Sequence, residues 1–164
     1  MTTTITGATG VDNIKAATGA VLQITQGLTQ TSVTISATTH SDTGLSASIT
    51  PTSSSSKILV TVNQRLGISN EARSMGADIK LLRGSTTILN DGNDSGYGSV
   101  YRDINISGIT NIDTTSTVAF SYIDSPSTTS ATTYKTTGRS HNGGNVKFQA
   151  YGAASVITLM EIAG

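Results

Sequence analysis

Residues 44–65 read GLSASITPTSSSSKILVTVNQR and contain two strand patterns joined by a polar connection. Apolar residues alternate with serine at positions 45–49. At positions 58–63 a residue period of two places Ile58, Val60 and Val62 on one face and Leu59, Thr61 and Asn63 on the other. Successive side chains of a β-strand point to opposite faces, so each pattern predicts a strand with one buried face. Pro51 lacks a backbone donor and predicts the end of the first strand. This stretch is therefore scaffold, and it contains no candidate catalytic residue.

Short strand patterns recur on both sides of this stretch, separated by turn signals. A glycine-bearing connection, Arg83-Gly84-Ser85, predicts a hairpin, and turns are also predicted at residues 124–127 and 142–145. The further strands are predicted at positions 21–24, 33–37, 78–82, 86–89, 100–107, 118–122, 132–137, 146–150 and 156–162. Many short strands with frequent turns are typical of an all-β sandwich, so we predict one antiparallel β-sandwich domain over residues 21–164.

The composition supports a β-protein and argues against several function classes. The chain has 164 residues, of which 51 are Ser or Thr, and only 12% are charged. Such a composition is found in disordered segments and in sheets with Thr on their outer positions, and the regular alternation favours the sheets. Ten basic and ten acidic residues cancel, so we expect neither a nucleic-acid nor a membrane partner. We also expect no signal peptide and no membrane span, and the chain has no cysteine.

Residues 1–20, MTTTITGATGVDNIKAATGA, are small and polar and cannot form a core. Two interpretations are open: a loose terminus, or an extended arm that becomes ordered on a neighbouring subunit. In the second, Ile5, Val11 and Ile14 are the anchoring residues. We predict the arm.

The last strand pattern has apolar residues on both faces. Val156, Thr158, Met160 and Ile162 share one face, and Ile157, Leu159 and Glu161 share the other. Because a sandwich buries only one face of each sheet, the second face needs a cover. Either another segment of the chain or a homotrimer interface supplies it, and we predict the trimer, with Ile157, Leu159 and Glu161 in the interface.

No arrangement of residues predicts catalysis or a cofactor. Residues 91–96, DGNDSG, resemble the start of a calcium loop, but the twelfth position is Arg102 where a bidentate Glu is needed, so no metal site is predicted. The two histidines are isolated, and no nucleophile elbow or phosphate loop occurs.

Residues 91–103 combine small polar residues with two tyrosines, which is typical of binding loops. Asn93, Asp94, Tyr97 and Tyr101 are the candidate receptor residues. The alternative is a surface loop with a tyrosine packed on the sheet.

Three segments resemble the head domain of tail-fibre and virion-surface proteins of bacteriophages. They are ITPTSSSSKILV at residues 49–60, FSYIDSPSTTSATTY at residues 120–134, and SVITLMEI at residues 155–162. The resemblance implies a trimeric jelly roll of the tumour necrosis factor type and a location on the virion surface.

Two functions agree with this resemblance. The first is a capsid decoration protein whose arm binds the major capsid protein or other virion proteins. The second is a tail-fibre head that binds a host surface receptor or glycan. The chain has no coiled-coil heptads and no long repeat for a fibre shaft, which favours decoration, and an enzyme is the least favoured function.

Overall fold

The structure is a computed structural model that describes residues 16–68, 75–92, 98–102 and 112–164. In this part of the chain there are eleven strands and one short turn of 3₁₀ helix, Ala150–Gly152. The strands are β1 (Val21–Thr29), β2 (Val33–Ile35), β3 (Ser41–Ile49), β4 (Lys57–Ile68), β5 (Met75–Arg83), β6 (Thr86–Asn90), β7 (Val100–Arg102), β8 (Thr114–Asp124), β9 (Thr132–His141), β10 (Val146–Phe148) and β11 (Ser155–Ile162).

The strands form two antiparallel sheets that pack face to face, which confirms the predicted all-β sandwich. In sheet 1, β4 is central: β8 pairs with one edge, while β11 and β10 share the other edge, with β1 beyond β11 and β2 beyond β10. In sheet 2 the order is β3-β9-β5, and β5 pairs on its far edge with β6 and β7.

Residues 44–65 link the two sheets. Strand β3 pairs with β9 in sheet 2, whereas β4 lies in sheet 1, so residues 50–56 cross from one sheet to the other. Pro51 is buried at this crossing. The connections β8–β9 and β9–β10 also cross between the sheets, while Gly84, with φ of 58°, closes the predicted β5–β6 hairpin within sheet 2.

Some strand boundaries differ from the sequence prediction. Strand β9 continues to His141, four residues beyond the predicted end, because its pairing with β5 continues to Gly76. Strand β2 ends at Ile35, where its three-residue pairing with β10 ends. The predicted strand at positions 100–107 is described only as β7, and its remainder lies outside the described residues.

The core consists of two apolar clusters. One lies around β3, β4 and β11, and the other around β5, β10 and the second half of β4. The buried residues of the first cluster are Leu45, Ala47, Ile49, Ile58, Val60, Val62, Leu81, Tyr134, Ile157 and Leu159. Those of the second cluster are Ile35, Leu66, Ile68, Met75, Ala77, Ile79, Val118, Val146 and Phe148. In β4 the two clusters are separated at Gln64, which lies between Val62 and Leu66 on the inward face.

A buried polar layer fills the gap between the clusters. Gln64 Oε1 accepts a hydrogen bond from Thr136 Oγ1 at 2.8 Å, and Gln64 Nε2 donates to Ser155 Oγ at 2.9 Å. Thr136 Oγ1 also lies 2.5 Å from Thr43 Oγ1. These four side chains are fully buried and come from both sheets. Because a buried polar group without a partner is costly, the layer fixes how the two sheets face each other.

The amide of Gln149 completes the polar layer. In the orientation that satisfies both of its atoms, its oxygen accepts from Gln64 Nε2 at 2.7 Å. Its nitrogen then donates to the carbonyl oxygens of Thr31, Thr43 and Phe148 at 3.1–3.2 Å. Gln149 is fully buried and has left-handed backbone angles, φ 51° and ψ 42°. The layer therefore holds the 3₁₀ turn that follows Gln149.

We expect Gln64→Ala to destabilise the domain much more than Asn63→Ala on the same strand. The first change removes the buried hydrogen bonds of Gln64 to Thr136 and Ser155 and leaves a gap in the layer, which should cost about 1–3 kcal/mol in total. Asn63 points to solvent, so its truncation should change the free energy of unfolding by less than about 0.5 kcal/mol. Urea unfolding of the two variants measures the difference, and equal midpoints would contradict the role given to the layer.

Candidate functional site

The outer face of sheet 1, which points away from sheet 2, has an apolar row at one end. The row consists of Ile24, Met160, Leu59 and Ile123, which are register partners across β1, β11, β4 and β8. Ile24 is 59% exposed and Ile123 is 56% exposed. Cross-strand apolar neighbours of this kind make a continuous patch, and such patches on soluble proteins mark interaction surfaces.

The centre of the same face is polar. Gln26, Thr61, Asn63, Arg65 and Thr158 line a hollow of about 390 Å³, together with Ala154 and Val156. Arg65 Nη1 donates to Thr117 Oγ1 at 2.5 Å, and Gln26 Nε2 donates to Thr158 Oγ1 at 3.1 Å. The face therefore changes from apolar at the row to polar at the hollow.

The structure corrects the predicted interface residues. Ile157, Leu159 and Glu161 point into the sandwich and are 0% exposed within a single chain, so they cannot contact a partner. The sequence pattern did identify two apolar faces on β11. However, the face available to a partner is the opposite one, with Val156, Thr158, Met160 and Ile162. Ile157 and Leu159 belong to the core because sheet 2 covers their face.

Glu161 holds the connection between β3 and β4. Its Oε1 accepts hydrogen bonds from the backbone nitrogen and the Oγ1 of Thr52, both at 2.7 Å, and its Oε2 accepts one from Gln23 Nε2 at 2.6 Å. Burial by itself raises the pKa of a carboxyl group, but here the donated hydrogen bonds outweigh it and hold the pKa of Glu161 at about 2. Glu161 is thus an ionised clamp inside one chain.

Asp124 plays a similar part on the other side of β4. It is buried, and it accepts hydrogen bonds from Arg83 Nη1 at 2.8 and 2.9 Å and from the Tyr134 hydroxyl at 2.7 Å. Burial and the bond to this carboxylate raise the pKa of Tyr134 well above its ordinary value. Ile58 is the register partner of both Asp124 and Glu161, so the two carboxylates lie at the same end of the sandwich.

The candidate receptor loop is described only at its ends. Asn93, Asp94 and Tyr97 lie outside the described residues. Tyr101 lies in β7, half-buried, with its ring edge-on to His141 at 6.3 Å between centroids. The receptor role of these four residues therefore stays a prediction.

The two described ends of this loop lie against a buried carboxylate. Asp78 accepts from Arg139 Nε at 2.6 Å and is fully buried. A Cβ added at Gly92 or Gly98 would lie 2.3 or 2.2 Å from Asp78 Oδ1. Only glycine fits at such a separation, so both loop ends are held on the outer face of sheet 2.

The predicted arm lies mostly outside the described residues. Ile5, Val11 and Ile14 are among those not described, and nothing in the structure tests their anchoring role. At the end of the segment, Gly19 N donates to Ala163 O at 2.8 Å, and Ala163 N donates to Ala20 O at 2.9 Å. Residues 19 and 20 therefore already belong to the folded domain.

Within the described ranges, no three His, Asp or Glu side chains come together in a group that could hold a metal ion. In the same ranges, no helix has the length and apolar character needed to cross a lipid bilayer.

Comparisons with known proteins do not assign the chain. No model of a known protein family matches it, and no curated protein matches it.

The sequence did not predict that Glu161 and Asp124 are buried hydrogen-bond acceptors, and the interface position predicted for Glu161 is wrong. Glu161 alternates with Ile157 and Leu159, and a carboxylate on an otherwise apolar strand face is the signal for a buried, hydrogen-bonded group. The sequence around Asp124 predicts only a turn, whereas in the structure Arg83 and Tyr134 donate hydrogen bonds to its carboxylate. The exposed apolar row could have been anticipated from Ile24 and Ile123, but only with the strand register.

We expect the stability contributed by Glu161 to depend on pH. Its pKa is 4.5 when unperturbed and about 2 in the folded protein. The contribution is therefore complete above about pH 4.5 and is lost as the pH falls towards 2. Its size should be on the order of 2 kcal/mol. Melting temperatures measured across this window should fall for the unmodified protein and change much less for Glu161→Gln.

A second variant makes this test specific. Gln23→Leu removes one donor and keeps the carboxylate, so it should reduce the pH dependence only in part. A Glu161→Gln variant with the same fall between pH 4.5 and 2 as the unmodified protein would show that other groups cause the acid sensitivity.

Proposed function

We propose that this protein is a non-catalytic structural protein of a bacteriophage virion surface. In this proposal it is a decoration protein that forms a homotrimer through the outer face of sheet 1 and attaches to the capsid through its N-terminal arm. The partners are two further copies of the chain and the major capsid protein.

The observation that carries the proposal is the apolar row. Ile24 and Ile123 are more than half exposed although they lie on regular strands of the sheet. Burying an apolar side chain of this size contributes about 1.5–3 kcal/mol, so a single row repeated in three copies would supply a substantial part of an interface. Leu28 and Val156, which are register partners on the same face, extend the apolar surface beyond the polar hollow.

The three segments that resemble phage proteins supply the clamps at one end of the sandwich. The first contributes Thr52 and the third contributes Glu161, which bind each other. The second contributes both Asp124 and Tyr134, which also bind each other. The resembling segments therefore contain residues that contact each other in the folded chain. This supports a fold shared with the phage proteins rather than a chance similarity of short sequences.

The strand order supports a jelly roll. When the short strands β2, β7 and β10 are set aside, β1 pairs with β11, β3 with β9, β4 with β8 and β5 with β6. The first long strand thus pairs with the last, the second with the seventh, the third with the sixth and the fourth with the fifth. This nested pairing is the arrangement expected of two Greek keys rolled into one sandwich.

We expect Ile24→Asp and Ile123→Asp to prevent trimer formation without unfolding the chain. Both side chains are largely exposed in one chain, so a carboxylate is tolerated there, but it would lack a partner in a dry interface. Light scattering after gel filtration should give a trimer for the unmodified protein and a monomer for each variant, with unchanged circular dichroism.

Ala131→Asp is the matched control because Ala131 is exposed in the connection before β9. This variant should remain trimeric. If the unmodified protein is a monomer, or if both isoleucine variants remain trimers, the outer face of sheet 1 is not the interface.

Deletion of residues 1–15 separates the two possible virion locations. The shortened chain keeps the backbone bonds between Gly19, Ala20 and Ala163, so it should remain a folded trimer. As a decoration protein it should no longer bind expanded capsid shells in a co-sedimentation assay. Binding equal to that of the full chain would exclude the arm as the attachment. Absence of shell binding by both forms, with retention on host cells, would favour the tail-fibre head.

A further inference from the structure

The end of sheet 1 opposite the apolar row has one exposed aromatic ring. Tyr151 is 70% exposed in the 3₁₀ turn after β10. The other large apolar side chains that are exposed in the described residues belong to β1 and β8. On β4, Leu59 belongs to the apolar row and Gly67 lies beneath the turn that carries Tyr151. These two residues are about 26 Å apart at 3.3 Å per residue. Tyr151 therefore lies at the other end of this face from the apolar row.

The backbone of this turn is strained. Gln149 has φ 51° and Tyr151 has φ 58°, both in the left-handed region that side chains other than glycine rarely occupy. Such a conformation persists only where the surrounding structure imposes it, and it is concentrated at functional sites.

Hydrogen bonds from several elements impose the conformation of the turn. Gln149 N donates to Arg65 O at 2.9 Å, and Ser32 Oγ donates to Gln149 O at 2.7 Å. Gln30 Nε2 donates to Gly152 O at 3.2 Å. Beneath the turn, a Cβ at Gly67 would lie 2.9 Å from Ala150 Cβ, so the turn packs closely on β4. Tyr151 is thus held rigidly while its ring remains in solvent.

Charged groups of both signs lie next to the ring. The Tyr151 hydroxyl donates to Asp113 Oδ2 at 3.3 Å, and Lys147 Nζ lies 6.0 Å from the ring centroid. Together with Thr114 these residues line a hollow of about 130 Å³. The site therefore combines an apolar ring face with a hydrogen-bond acceptor, a donor and a hydroxyl group.

We infer that Tyr151, Asp113 and Lys147 form a binding site for one hexopyranose unit of a glycan. A pyranose has an apolar face of C–H groups that fits an aromatic ring, and hydroxyl groups at its edge that both donate to a carboxylate and accept from an ammonium group. The site is less suited to a protein partner. Residues that dominate protein–protein binding are surrounded by further contacts that exclude water, and this turn has no other large apolar side chain that is exposed. The inference gives a site and a ligand class to the glycan binding that the tail-fibre alternative assumes and rests on that alternative for its biological role, while its binding test does not depend on the location on the virion.

Saturation-transfer difference NMR with the full chain tests the site. The probes are the methyl glycosides of glucose, galactose, mannose and N-acetylglucosamine, at concentrations up to about 20 mM, because ligands of this size bind in the millimolar range. We expect transfer to the ring C–H protons of at least one probe. Tyr151→Ala and Lys147→Ala should weaken that binding about tenfold or more, while Tyr151→Phe keeps the ring and should retain it.

Lys135→Ala is the control, since Lys135 forms an ion pair with Asp42 on sheet 2 and should not affect sugar binding. The melting temperature and oligomeric state of every variant are measured in parallel. Absence of transfer to all four probes overturns the inference, as does transfer that survives Tyr151→Ala. Dissociation of the oligomer on Tyr151→Ala also overturns it, because the ring would then belong to a subunit interface.

Discussion

The structure depends on one buried constraint, the polar layer around Gln64. An inner face that was apolar throughout would allow the two sheets to slide, because apolar contacts have little directionality. Gln64 and Thr136 remove this freedom, since the hydrogen bond between them joins the two sheets and forms only when β4 and β9 face each other in one alignment. The same layer reaches Gln149, so the alignment of the core and the shape of the exposed turn that carries Tyr151 depend on each other.

The connections between sheets need separate support, because no sheet ladder extends through them. At one end of the sandwich, the carboxylates of Glu161 and Asp124 provide this support by accepting hydrogen bonds. The two residues lie on either side of Ile58. Both carboxylates are buried and both are fully engaged by donors from other strands or connections. A chain with only 12% charged residues thus buries three of its ten acidic side chains, Asp78, Asp124 and Glu161, and its outer faces consist mostly of hydroxyl and apolar groups. Such a surface is suited to contacts that require little desolvation of charge.

Strand positions could be predicted because a period of two is a local property. The alternation at positions 58–62 and 156–162 gave the correct strands and the correct pairs of faces. The choice between the faces of β11 could not be made locally, since it depends on the position of sheet 2, and the three residues predicted to lie in an interface are buried inside the chain instead. Tyr151 was missed for a similar reason. Nothing in KFQAYGAAS predicts left-handed angles at Gln149, which arise from partners as distant in sequence as Ser32 and Gln64.

The position of β1 has a mechanical consequence. This strand lies at the edge of sheet 1, pairs with β11 at eight positions, and begins where residues 1–20 join the domain. Ladder hydrogen bonds are perpendicular to the strands. A load applied through the N-terminal segment along the axis of β1 therefore acts on all of these bonds at once in shear, whereas a load across the sheet would break them one after another. Attachment through this segment would be strong against tension in one direction and weak against peeling in the other.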